Sequence, residues 1–247
     1  MKKNYKDLFN LTGKTVLITG SSRGIGLEIA RGFFQNNANV YLLGRSKKCA
    51  DLVLNKSYFQ CDLNNSNKFK SICKKIKNKN KKIDTLINCV GITGSFKDKN
   101  NILDIFKTNL FSIYKACEIY KNFINLKNGG SIINIGSIGS KIGFPNNPGY
   151  VSSKFALLGL SKSLAIDLQK KKIRVNSILP GYIKTNMTMK SFNNNKENKK
   201  RKDRTILNRW GNPSDIVGAA IFLSTEASIY MTGSEIVVDG GWLAKGL

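Results

Sequence analysis

The sequence contains no histidine, and its five cysteines in 247 residues show no Cys-x-x-Cys spacing. The first absence removes the commonest metal ligand and every Ser-His-Asp or Cys-His arrangement, so no metal site is expected. Acid–base chemistry is left to Tyr, Lys, Asp, Glu or a thiol. Cys49, Cys61, Cys73, Cys89 and Cys117 are an odd and dispersed set, which argues for reduced thiols rather than a disulfide framework. Proline is scarce, at 4 residues, and no stretch reads as an interdomain linker. No run approaches the roughly 18 apolar residues that a membrane-spanning helix needs. The basic start, Met1 to Asp7, leads into no signal-like apolar run, and a soluble cytoplasmic protein is the expectation.

Acids are few as well: 15 Asp and Glu stand against 41 Lys and Arg, a formal charge of +26. Such an excess attracts anions, including nucleic acid, phosphorylated cofactors and acidic carrier proteins. The lysines are spread along the chain and travel with asparagines, as in Lys77-Asn78-Lys79-Asn80-Lys81-Lys82. No aromatic residues are interleaved with them to stack on bases. Compositional bias on solvated faces is the simpler reading, and no specific nucleic-acid binding is expected.

What is present is a regular alternation. Short apolar runs at Lys14–Thr19, Asn39–Leu43, Ser57–Gln60, Ile83–Asn88, Ser131–Ile135, Ile173–Ile178 and Glu235–Val238 read as strands. Helical patterns separate most of them, at Gly24–Phe34 and near 66–78, 101–126, 149–170 and 213–225. Near-continuous apolar strands alternating with helices predict an α/β chain. The expected fold is a single-domain Rossmann-type doubly wound parallel sheet with helices on both faces. The short link between the second and third strands leaves room for only a stunted helix. The segment Met187–Asp203 is polar and aperiodic, and reads as part of a mobile substrate loop at about 182–209.

The first strand ends in Thr19-Gly20-Ser21-Ser22-Arg23-Gly24-Ile25-Gly26 and a helix follows. A strand, a glycine-rich turn and a helix N-terminus in that order form a dinucleotide phosphate site. Gly20 allows the tight turn, Gly24 the approach of a pyrophosphate, and Gly26 close packing. The second strand ends Leu42-Leu43-Gly44-Arg45-Ser46, with no acid before Asp51 to hold an adenosine ribose. Arg45, with Arg23, would neutralise a 2′-phosphate instead. NADP(H) is the better match, with NAD(H) left open.

Farther on, Tyr150 and Lys154 are four residues apart, on one helix face and one turn apart. Ser137 follows the strand upstream. The ordered set is Thr19-Gly20-x-x-x-Gly24-Ile25-Gly26, Asp62, Asn88-x-x-Gly91, Asn109, Ser137, Tyr150-x-x-x-Lys154 and Pro180-Gly181-x-x-x-Thr185. With these the chain resembles the short-chain dehydrogenase/reductase family over nearly its whole length. One departure is Cys89-Val90, where the family usually carries small or amide residues.

The resemblance implies hydride transfer between a nicotinamide and a small ketone or secondary alcohol. It makes Tyr150 the proton donor or acceptor, with Lys154 and the oxidised nicotinamide lowering its pKa. Lys154 would also bind the nicotinamide ribose, Ser137 the substrate oxygen, and Asn109 a water of the proton relay. Ser22 and Arg23 fall in the phosphate turn, Asp62 and Leu63 at the adenine, and Asn88 and Gly91 against the cofactor. Pro180, Gly181, Ile183 and Thr185 would meet the carboxamide and diphosphate. A homotetramer through the helices near 101–126 and 149–170 is expected on the same ground.

Two substrate classes resemble this chain. Asn208–Asp215, Phe222–Ser224 and Val238–Trp242 are similar to gluconate-type sugar-acid dehydrogenases, which is the reading favoured here. The other class is the 3-oxoacyl-acyl-carrier-protein reductases, for which Lys170-Lys171-Lys172 beside Arg174 would receive an acidic carrier protein. In a chain this basic, a solvated helix end is the simpler reading of that run. A non-catalytic NADPH-binding regulator is the remaining alternative, and the intact Asn109, Ser137, Tyr150 and Lys154 set weighs against it.

Arg45→Asp tests the cofactor reading. The ratio of kcat/KM with NADPH to that with NADH should fall towards NADH, and an unchanged ratio contradicts the assignment.

Overall fold

The computed structural model describes residues 5–94 and 102–245. Met1–Asn4 and position 101 of the expected third helix lie outside the described residues. The strands are β1 (Thr15–Thr19), β2 (Asn39–Gly44), β3 (Tyr58–Gln60), β4 (Thr85–Asn88), β5 (Gly130–Ile135), β6 (Ile173–Pro180) and β7 (Glu235–Val238). All pair in parallel, in the order β3-β2-β1-β4-β5-β6-β7. The order reverses between β1 and β4, and at such a switch point the connections leave in opposite directions and open a crevice at the strand C-termini.

The helices are α1 (Gly24–Gln35), α2 (Ser66–Asn80), α3 (Ile102–Phe106), α4 (Ser112–Tyr120), α5 (Pro148–Asp167), α6 (Met189–Phe192), α7 (Asn195–Arg204) and α8 (Val217–Ser224). Strand side chains alternate between two apolar layers. Leu17, Leu86, Ile132 and Val175 pack with residues of α2, α4 and α5. Val16, Ile18, Ile87, Ile133 and Ile178 pack with residues of α1 and α8 on the other face. The expected doubly wound sheet is therefore present, including a one-turn 3₁₀ helix (Leu54–Ser57) as the stunted link. No helix among the described residues is long and apolar enough to cross a membrane.

Two elements differ from expectation. The long helix near 101–126 is α3 and α4 joined by a wide π turn, Lys107–Phe111, and it ends at Tyr120. The segment taken as a loop, Met187–Asp203, is largely helical as α6 and α7. Apolar periodicity could not reveal α7, because its residues, Asn195 to Arg204, are all polar or charged. It is held by its cap and its charges instead. Asn194 accepts from the Glu197 amide at 3.0 Å, and Glu197 pairs with Arg201 at 3.1 Å one turn on.

One feature crosses the sheet beneath the crevice. Thr19, Asn88, Asn134 and Ser177 are register partners on β1, β4, β5 and β6, and all four are buried. The Asn88 amide donates to Asn134 Oδ1 at 2.9 Å, and the Asn134 amide donates to Ser161 Oγ of α5 at 2.9 Å. Ser161 Oγ donates to the Leu157 carbonyl at 2.7 Å and accepts from Ser177 Oγ at 3.2 Å. Asn134→Ala deletes both amide links and leaves the Asn88 amide short of an acceptor. Unfolding in urea should show a loss of about 2–3 kcal/mol, and a loss within error of zero would contradict this role.

Candidate active site

The crevice is built by close backbone contact. Gly20 has φ +68°, and a Cβ there would stand 2.6 Å from the Cys89 carbonyl oxygen, so turn and post-β4 loop touch. A Cβ on Gly26 would stand 2.6 Å from the Gly20 carbonyl oxygen, so the first turn of α1 seats on the glycine turn itself. Arg23 occupies the N-cap of α1 without a side-chain cap, which leaves the first amides of the helix to an outside acceptor.

The crevice has two connected parts that share Cys89, Val90 and Gly91. The outer part, a cleft of ≈ 360 Å³, is lined by Gly20, Ser22, Arg23, Arg45, Asp62 and Leu63 among others. The inner part, ≈ 130 Å³, is lined by Ile25, Ser137, Tyr150, Lys154, Pro180, Gly181, Ile183 and Thr185, with Met187 and Thr188 in addition. Gly24 borders the same space, its missing side chain facing Thr185 at 3.7 Å. A glycine cradle, uncapped helix amides and two arginines at the outer end fit a phosphorylated dinucleotide. Asp51, the first acid after β2, is committed elsewhere: it pairs with Arg31 at 2.9 Å and accepts from the Val53 and Leu54 amides at 3.0 Å each.

At the inner end, α5 carries Tyr150 and Lys154 along the crevice. The Lys154 ammonium donates to the Ile135 carbonyl at 2.8 Å and lies 5.8 Å from the Tyr150 ring centre. Its burial, with 3% of its surface exposed, brings its pKa down to about 8. Burial also raises the Tyr150 pKa, opposed by a hydrogen bond with Ser137.

Two expected site residues spend their side chains on partners within the protein. Asn88 lies under the crevice in the polar row, its amide on Asn134 and on Cys117 Sγ at 3.4 Å, and does not line the cleft. Asn109 sits inside the π turn, where its Oδ1 accepts from the Ile92 amide at 2.8 Å. Its Nδ2 donates to the Ile92 carbonyl at 2.9 Å and to Ser153 Oγ at 3.0 Å. With both donors used, the side chain clamps the post-β4 loop to α5, and a Cβ at Gly91 would stand 3.7 Å from both its Oδ1 and the Lys154 ammonium.

The sequence profile described as Enoyl-(Acyl carrier protein) reductase matches residues 20–243. The chain belongs to the short-chain dehydrogenase/reductase family. It is 35% identical to a 3-oxoacyl-(acyl-carrier-protein) reductase of Chlamydia pneumoniae, over 94% of this chain and 97% of that protein. It is 33% identical to a 2-dehydro-3-deoxy-D-gluconate 5-dehydrogenase of Dickeya dadantii, over 96% and 98%. The solved gluconate 5-dehydrogenase of Burkholderia cenocepacia, in complex with NADP and tartrate, superposes with a TM-score of 0.91 at 26% identity. That match covers 98% of this chain and 100% of the other. This short-chain dehydrogenase/reductase is thus an oxidoreductase acting between CH–OH and keto groups with a nicotinamide dinucleotide.

Three residues of the site escaped the sequence reading. Ser153, fully buried, donates to the Tyr150 carbonyl at 2.7 Å and accepts from Asn109, which ties the catalytic helix to the π turn. Its place directly before Lys154 was the available signal. Tyr182 stands close enough to Tyr150 to interact with it electrostatically, and Arg201 of α7 lies 4.8 Å over the Tyr182 ring. Nothing in their spacing marks that stack, since 19 positions separate them in the sequence.

Lys154 gives a pH test with a definite sign. Below about pH 8 the ammonium is charged both folded and unfolded, and its burial costs stability. Between that value and the ordinary 10.5, only the unfolded chain keeps the proton, so stability rises with pH. Relative to Lys154→Met, the parent should therefore gain up to roughly 3 kcal/mol from pH 7 to pH 10. Melting curves of the two proteins across that range check it, and parallel pH dependences would contradict it.

Proposed function

We propose that this short-chain dehydrogenase/reductase is NADP(H)-dependent and interconverts a ketone and a secondary alcohol of a sugar acid or polyol. The observation that carries the reaction is the meeting of Ser137, Tyr150 and Lys154 at the inner end of a dinucleotide-shaped crevice. The bound nicotinamide supplies or accepts the hydride. Ser137 Oγ and Tyr150 hold the substrate oxygen, and Tyr150 moves the proton at that oxygen. Because burial holds the phenol protonated through neutral pH, it is set as the donor for ketone reduction. Alcohol oxidation requires the phenolate and should quicken as pH rises. Arg23 and Arg45 favour the 2′-phosphate of NADP(H) at the outer end.

The sugar-acid reading is supported by the Dickeya dadantii relative. Arg201 over the Tyr182 ring does not add to it, because its guanidinium is already paired with Glu197 at 3.1 Å. In this reading residues 182–209, carrying Tyr182 and α7, are the mobile segment that covers the substrate. A 3-oxoacyl thioester is the second reading, favoured by the Chlamydia pneumoniae relative. The basic run at 170–172 supports it less than the sequence implied, because Arg174 turns inward. Its guanidinium donates to the Leu223 carbonyl at 2.8 Å and to Ser228 Oγ at 3.1 Å. A homotetramer is consistent with Phe111, Tyr114 and Phe155, which stand exposed on the π turn, α4 and α5.

The deciding assay sets NADPH with 5-ketogluconate against NADPH with an acetoacetyl thioester, for the parent and for Tyr150→Phe. The parent should turn over the ketogluconate at the higher kcat/KM. Tyr150→Phe should lose activity by at least a thousandfold while binding NADPH as the parent does. Turnover of the thioester alone would sink the sugar-acid reading. Loss of NADPH binding in a folded Tyr150→Phe protein would contradict the role given to Tyr150.

A further inference from the structure

Dinucleotide selection in this fold turns on the end of the second strand, about 20 residues beyond the glycine turn, where a carboxylate holds the adenosine ribose of NAD. Gly44, the last residue of β2, occupies that place. The space above it is already filled. A Cβ at Gly44 would stand 2.9 Å from the Tyr58 hydroxyl and 3.3 Å from both Cβ and Oγ of Ser22. Tyr58 is not free to swing away. It lies on β3, its neighbour in register is Leu42, and its ring packs against the apolar layer beneath α1. Its hydroxyl donates to the Ser46 carbonyl at 2.7 Å. The same loop is held from the other side, where the Gln60 amide donates to the Arg45 carbonyl at 3.1 Å.

We propose that Tyr58 is a specificity-determining residue for the cofactor: its anchored hydroxyl, with Ser22, closes the space that a ribose-binding carboxylate at position 44 needs. The inference rests on the NADP(H) reading and adds a second part to it. Arg45 draws the 2′-phosphate by charge, and the Gly44–Tyr58 contact bars the alternative by volume. The two parts are separable. Removing the Arg45 charge weakens NADPH, but it opens no room for the acid that would hold NADH.

Dissociation constants for NADPH and NADH, read by titration of intrinsic fluorescence, test this on the parent, Gly44→Asp and Gly44→Asp/Tyr58→Ala. Gly44→Asp should lose at least tenfold in NADPH affinity and gain no NADH affinity. Adding Tyr58→Ala should tighten NADH at least tenfold over the single variant. If Gly44→Asp alone tightens NADH as much as the double variant does, the exclusion is overturned. A cofactor-independent check uses Gly44→Ala, which adds only the Cβ. It should melt below the parent, and Tyr58→Phe, which removes only the hydroxyl, should restore part of the loss in the double variant. A Gly44→Ala protein that melts with the parent shows the space to be open and overturns the proposal. A parent that binds NADH as tightly as NADPH defeats the NADP(H) reading instead, while the melting comparison still decides the contact.

Discussion

Four polar side chains buried in register on four neighbouring strands must all find partners, and that requirement fixes where α5 lies. An unpaired amide in this position would cost as much as several buried methylenes contribute. Asn134 meets the requirement by reaching sideways to Asn88 and outward to Ser161. Ser161 stands two turns beyond Lys154 on the same face of α5. The next residue of β5, Ile135, offers its carbonyl to the Lys154 ammonium. A shift of α5 by one residue would break the Asn134–Ser161 link and move Lys154 off that carbonyl together. The polar row is therefore a ruler for α5 as well as a stitch across the sheet.

From the other side the same helix is held by Asn109. Its carboxamide closes a ring with both backbone groups of Ile92 and touches Ser153, whose hydroxyl binds the Tyr150 carbonyl. A π turn costs hydrogen-bond regularity, and such turns concentrate where function needs a side chain re-aimed. Here the turn buries Asn109 completely and aims it across to the post-β4 loop. Tyr150 is thus positioned by two independent anchors, one through the sheet and one through the π turn.

How much of this was readable in the sequence depended on whether the signal was local. The seven strands were legible because each is a short apolar run closed by a turn. The Gly20–Gly26 turn and the Tyr150/Lys154 pair were legible because spacing alone fixes their geometry. Asn88 shows the limit: its position relative to β4 was right, but a sequence gives no direction, and the side chain turns to Asn134 and to Cys117 of α4. α7 was missed because its stability comes from a cap, an ion pair and a guanidinium on Tyr182, none of which leaves a periodic trace. The burial of Tyr150 was not legible for a related reason. Its distance from Lys154 follows from helix geometry, whereas its desolvation depends on everything else that closes the crevice.

Those two buried ionisable groups also explain why charge matters locally in a chain whose excess of cations is spread over its whole surface. Burial disfavours an ammonium at Lys154 and a phenolate at Tyr150 alike. A positive oxidised nicotinamide held beside Tyr150 would favour the phenolate, and a neutral reduced one would leave the phenol intact. Under the proposed reaction, Tyr150 would then need no permanently lowered pKa for the exchange to run both ways.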